Sequence, residues 1–255
     1  MELTNALCKT IQSLDTMKGR RMTSLFMAEG TKCVLELLPT FELEYLIATR
    51  QWLDEHRNIH VNPDKVIETG RGDIKKISQL TTPRDVVAVF KMPTQTGLPE
   101  NLKLELVIAL DRVQDPGNLG TIIRIADWFG VHHIIASFDT VDCFNPKVVQ
   151  ATMGAIGRVK VSYVNNLAQT LESLSADMPI YGTFLDGQNI YKASLSSNGV
   201  IVMGNEGAGI SDEVGKVITS RLFIPPYPAN SDTVESLNVS MATAITVAEF
   251  RRRQF

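Results

Sequence analysis

The chain has 255 residues, 44% hydrophobic and 7% aromatic, with a formal net charge of −3. That length suits one large domain or two modest ones. The near-neutral balance confines any nucleic-acid surface to a local patch. The scarce aromatics leave little for a base-stacking platform. No apolar run approaches the ~18 residues of a membrane span. The start "MELTNALCKT" lacks a basic segment ahead of an apolar block, so it does not read as a secretory signal. A soluble, cytoplasmic protein is expected.

The first half alternates. "SLFMAEG" reads as a strand and "TKCVLELL" as a short helix capped by Thr31. Strand "EYLIAT", helix "QWLDEHR", strand "DKVIET", helix "GDIKKISQL" and strand "DVVAVFK" follow, which is the pattern of a small α/β domain. Two prolines, a glycine and polar residues in "KMPTQTGLPENLK" then read as a linker. We place one domain at 1–92, the linker at 93–103 and a second domain at 104–255.

Beyond the linker, "LELVIAL" is an apolar strand without alternation, as expected of burial on both faces. "NLGTIIRIADWFG" has helical spacing, with Asn118 a plausible N-cap and Gly130 a stop. "HIIAS" is a strand, and "NPKVVQATMG" a helix with Pro146 in its first turn. Strands "IYGTFL", "VIVMG" and "RLFIP" precede a terminal helix from about Leu237. The expected fold is a second α/β unit with a mostly parallel sheet.

Cys8, Cys33 and Cys143 are too sparse for a disulfide framework, and no Cys or His spacing matches a metal site. We expect no metal. In open α/β sheets, ligands sit at the carboxyl ends of strands. Three loops there are rich in turn-forming and polar residues: "DRVQDPGNLG", "MGNEGAGIS" and "IPPYPANSDTVESLNVS". Neither GxGxxG nor GxxxxGK[ST] is present, which speaks against a nucleotide-dependent oxidoreductase or a kinase. The polar residues of "ESLN" either cap the terminal helix or face a substrate.

"LDRVQDPGNLGTIIRIADWFG", "IVMGNEGAGIS" and "IPPYPANSDTVESLNVSMATAI" resemble, in order, the three motifs of the SpoU family, the tRNA/rRNA 2′-O-methyltransferase branch of the SPOUT methyltransferases. "KGRRMTSLFMAEGTKCVLELL" is similar to the RNA substrate-binding domain that often precedes that catalytic domain. The resemblance implies a trefoil-knotted α/β domain, a homodimer, S-adenosylmethionine as methyl donor and RNA as substrate. It places Gly204, Ile224 and Leu237 at the cofactor, with Thr183 and Leu185 beside them. It places Asn118, Arg124, Glu206, Ser236 and Asn238 around the target ribose.

The implied reaction is displacement at a sulfonium methyl by a ribose 2′-oxygen. The donor is already activated, so the site must chiefly align oxygen, carbon and sulfur and help remove a proton. Arginine stays protonated in proteins, so we assign Arg124 to the phosphate or the developing alkoxide, not to proton removal. Glu206 either accepts the proton or orients its neighbours. Arg20 and Arg21 are expected to aid RNA binding. The Pro225–Ser236 stretch is longer than the family usually shows and is expected to reshape the pocket rim. The alternative is an RNA-binding protein that keeps the fold without the activity.

Overall fold

The computed structural model describes residues 2–94, 97–228 and 236–254. Its first elements are α1 (Asn5–Ser13), α2 (Met17–Thr23), β1 (Leu25–Glu29), α3 (Thr31–Leu37), β2 (Leu43–Ala48), α4 (Arg50–Glu55), β3 (Val66–Glu68), α5 (Arg71–Ile77) and β4 (Val86–Lys91). There follow β5 (Leu106–Leu110), α6 (Pro116–Trp128), β6 (His133–Ser137), α7 (Pro146–Thr152), β7 (Lys160–Val164) and α8 (Leu167–Ser175). The last are β8 (Ile180–Asn189), β9 (Gly199–Met203), α9 (Asp212–Gly215), β10 (Ser220–Phe223) and α10 (Val239–Arg252). Among the described residues, no helix is long and apolar enough to cross a membrane.

The chain divides into two compact units, one of residues 1–94 with 142–157, the other of 95–141 with 158–255. Residues 142–157 lie within the stretch expected to form the second domain, yet they fold with the first.

In the first unit the sheet order is β1-β4-β2-β3. β4 runs antiparallel to both neighbours, and β3 is parallel to β2. Helices α1 and α2 precede the first expected strand. Thr4 and Thr16 cap them, accepting from the N–H groups of Leu7 and Gly19. The α1 stripe of Leu7, Ile11 and Leu14 packs with Ile74 and Ile77 against Met27, Ile47, Val87 and Val89. The other side holds an aromatic cluster. Phe26 stands 5.0 Å from Phe41, 5.5 Å from Phe90 and 4.6 Å from Phe144, ring centre to ring centre. Thr31 does not cap α3. Gly30 holds that position at φ 85°, and the Thr31 hydroxyl accepts from the Trp52 indole instead.

The second unit holds a six-stranded, all-parallel sheet, ordered β10-β8-β9-β5-β6-β7. β5 and β9 are central and buried throughout, as unbroken apolar runs require. On one face Val107, Ala109, Val200 and Val202 pack with Leu167 and Leu171 of α8 and Val214 of α9. α6 and α10 pack against each other, and α10 against β9.

The terminal "RRR" locks this end of the fold. Arg251 donates to the carbonyls of Phe129 and Gly130, at 2.8 and 2.9 Å. Arg252 and Arg253 both donate to buried Glu249, whose carboxyl is held down at about 2, first by the Arg252 hydrogen bond. A carboxyl depressed from 4.5 contributes stability above pH 4.5 and loses it as pH falls toward 2. Glu249→Gln is therefore expected to melt several degrees below the wild type at pH 7, with the gap closing in acid. A pH-independent gap in thermal melts would refute this.

Candidate active site

β5 and β9 are neighbours, and the chain leaves β5 for β6 on one side of the pair and β9 for β10 on the other, which is the switch point whose carboxyl ends bind ligands in open α/β sheets. Pro116 opens α6, and Asp115 is its N-cap, with Oδ1 accepting from the Asn118 N–H at 2.8 Å. Asn118 is thus not the cap. It sits inside the first turn, where its side chain is released for another partner.

That partner comes from the loop after β9. Asn205 closes a tight turn by exchanging backbone hydrogen bonds with Gly209, and its side-chain oxygen accepts from the N–H groups of Gly207 and Ala208. Glu206 stands in this turn. Its Oε1 accepts from Asn118 Nδ2 at 2.7 Å and from Asn238 Nδ2 at 2.6 Å. Asn238 Nδ2 also donates to Asn118 Oδ1 at 3.0 Å. Asn238 is the N-cap of α10 as well, its Oδ1 accepting from the Ser240 and Met241 N–H groups. The capping reading of "ESLN" holds at Asn238, which caps with one end of its amide and joins the Asn118–Glu206 pair with the other. Three residues 120 positions apart at most form one network, with each amide orientation set by its partners.

Arg124 is not part of this network. Six residues beyond Asn118, it lies about 120° around α6. It is exposed, and among the described residues its guanidinium makes no hydrogen bond or ion pair. Ser236 is exposed ahead of α10. Residues 229–235 of the long Pro225–Ser236 stretch lie outside the described residues.

Of the residues expected at the cofactor, Thr183 and Leu185 lie within β8, Gly204 directly follows β9, Ile224 directly follows β10 and Leu237 precedes α10. β8 pairs with β9 only from Ile180 to Gly182, then follows β10 at Gln188 and Asn189. Thr183 donates its hydroxyl to the Val202 carbonyl at 3.2 Å, at the point of divergence. Leu185 and Leu237 are 68% and 48% exposed, and Ile224 is half-buried. Gly204 has a structural reason to be glycine: a β-carbon there would lie 2.3 Å from the Gly209 carbonyl carbon.

Arg20 and Arg21 separate. Arg20 is 1% exposed. Its guanidinium donates to the carbonyls of Leu14 and Asp15 and, at 2.9 and 2.6 Å, to Asp142. Burial and four hydrogen bonds leave it nothing for RNA, so its expected RNA contact gives way to a structural one. Arg21 is exposed. Arg20→Ala is expected to lower the melting temperature steeply, because it strands Asp142 and two carbonyls. Arg21→Ala should leave the melt unchanged and weaken RNA binding. Equal melts for the two variants would contradict this assignment.

The SpoU rRNA Methylase family model matches residues 105–248. The chain belongs to this family. An MRM3-like substrate binding domain model matches residues 5–88 of the same SpoU methylase. The chain is 30% identical over 251 residues to the 23S rRNA (guanosine(2553)-2′-O)-methyltransferase RlmP of Bacillus subtilis, covering 97% of this chain and 96% of that protein. Among solved structures, a putative RNA methyltransferase of the TrmH family from Porphyromonas gingivalis aligns with TM-score 0.88 at 42% identity, covering 98% of this chain and 99% of that one. The AdoMet-bound rRNA methyltransferase from Sinorhizobium meliloti aligns with TM-score 0.85 at 30% identity, covering 100% and 98%. Sequence reading of this SpoU methylase missed Asp115 and Asn205, which hold the network's backbone. An Asp immediately before Pro and an Asn directly after Gly204 in a glycine-rich turn are the signals that could have found them.

Proposed function

We propose that this SpoU methylase transfers a methyl group from S-adenosylmethionine to a ribose 2′-hydroxyl of ribosomal RNA, in the cytoplasm. The observation that carries the reading is the Asn118–Glu206–Asn238 network at the switch point of an all-parallel sheet. The bound cofactor supplies an activated methyl on sulfur. Thr183, Leu185, Gly204, Ile224 and Leu237 would hold it. The open apolar surfaces of Leu185 and Leu237 fit a flat adenine better than water.

The chain's own residues then position the acceptor. Glu206 Oε1 is occupied by two amide donors, which keeps the carboxylate in place. Its Oε2 has no hydrogen-bond partner among the described residues, so it is open to the ribose hydroxyl and its proton. Exposed Arg124 is open to the RNA, where a guanidinium stabilises a phosphate or a developing alkoxide. Ser236 adds a hydroxyl beside Asn238.

A homodimer and a knotted backbone belong to the same reading. Trp128 on α6 is 85% exposed and Met241 on α10 is 57% exposed, apolar area that a second copy would cover. Calorimetric titration with S-adenosylmethionine tests the reading, followed by transfer of labelled methyl to ribosomal RNA. Saturable binding and a 2′-O-methylated product are expected. A dimer that binds RNA but neither binds nor spends the methyl donor would be a binding protein only.

A further inference from the structure

Arg112, in the loop between β5 and α6, has φ 58°, a left-handed conformation that crowds the β-carbon and selects glycine or asparagine. Two side chains hold it there. Its N–H donates to Ser137 Oγ at 2.9 Å, and its carbonyl accepts from Asn205 Nδ2 at 2.8 Å. Asn205 precedes Glu206, so Arg112 is tied to the turn that presents the site's carboxylate.

Its guanidinium is underused. The buried Nε has no hydrogen-bond partner and lies 3.4 Å from Asp111 Oδ1. The other oxygen of Asp111 accepts from the Ser211 N–H at 2.6 Å. The Arg112 side chain is 34% exposed, and among the described residues its guanidinium makes no hydrogen bond. A guanidinium carries five donors in a planar fork. The turn would be served better by glycine, so the side chain has a task apart from the backbone, and backbone strain of this kind concentrates at functional sites.

We propose that the Arg112 guanidinium binds a backbone phosphate of the RNA substrate beside the target ribose. The fork matches a phosphodiester bidentately, and Asp111 preorients it while leaving its outer donors open. The inference rests on the methyltransferase reading above.

The test compares wild type, Arg112→Gly and Arg112→Lys. Glycine removes the side chain and relaxes the backbone, so the fold survives. Binding of an in vitro 23S rRNA transcript is measured by filter retention at several KCl concentrations, and S-adenosylmethionine binding by calorimetry. Arg112→Gly is expected to bind RNA about tenfold more weakly, with a salt slope smaller by about 0.7–0.9, the loss of one phosphate contact. Its cofactor affinity and melting temperature should not fall, and Arg112→Lys should keep most of the slope. An unchanged slope overturns the proposal. So does a loss confined to cofactor affinity, which would give the guanidinium to the methionine carboxylate. Wild type that transfers no methyl removes the reading and this inference together. Transfer by wild type with an indifferent Arg112→Gly removes the inference alone.

Discussion

Replacing Arg124 with alanine is expected to cut methyl transfer about 10²–10³-fold, the cost of losing one preorganised charge-stabilising donor. Cofactor affinity and the melting temperature should stay at wild-type values. The structure separates these effects. Arg124 is exposed on α6 and makes no hydrogen bond or ion pair among the described residues, so alanine strands no partner and suits a helix. The residues expected at the cofactor stand on β8, after β9 and β10, and before α10, not on this face of α6. Arg124→Lys should fall between, since an ammonium keeps the charge but not the fork. Single-turnover transfer measures the loss. Near-normal turnover in the alanine variant would take Arg124 out of the reaction.

The second large effect is expected at Glu206, and two substitutions divide its roles. Glu206→Ala removes the acceptor shared by Asn118 and Asn238, so the network loses its orientation, and transfer should fall about 10²-fold or more. Glu206→Gln keeps an oxygen for those amides but cannot take up a proton. If Glu206 accepts the 2′-proton, glutamine fails as badly as alanine. If Glu206 only orients, glutamine retains most of the rate. Asn238→Ala supplies the contrast. It breaks the same network and also uncaps α10, so it should lose about 1 kcal/mol of stability along with its activity. Wild-type stability in that variant would mean that the cap is made by another group.

The turns of the candidate site are legible because turn chemistry is local. Pro116, the glycines of the Glu206 turn and the capping oxygen of Asn238 each act within a few residues of where they stand. What was not legible depends on distance. Arg20 reads as a surface cation until Asp142, far along the chain, is seen to hold it. Asn118 reads as a cap until Asp115 is seen to fill that place one turn earlier. α1 and α2 do not stand out in the sequence: Leu7, Ile11 and Leu14 keep helical spacing, but the run is short and broken by polar residues. The mostly parallel character of the second sheet followed from alternation of strands and helices, but its order did not, since unbroken apolar runs such as β5 and β9 carry no label of their neighbours.

Residues 142–157 bear on how such a protein can be rearranged. Phe144 fills the aromatic cluster against Phe26, and a side chain on Gly154 would strike the Glu36 β-carbon at 2.4 Å. A gene cut in the stretch expected to be a linker, exchanging residues 1–92 for another domain, would leave this segment behind with its complementary surface removed. Fusions made by recombination at residues 93–103 should therefore be poor chimeras unless residues 142–157 travel with the transplanted half. Inheritance of the two parts is coupled by a segment that neither boundary in the linear sequence reveals.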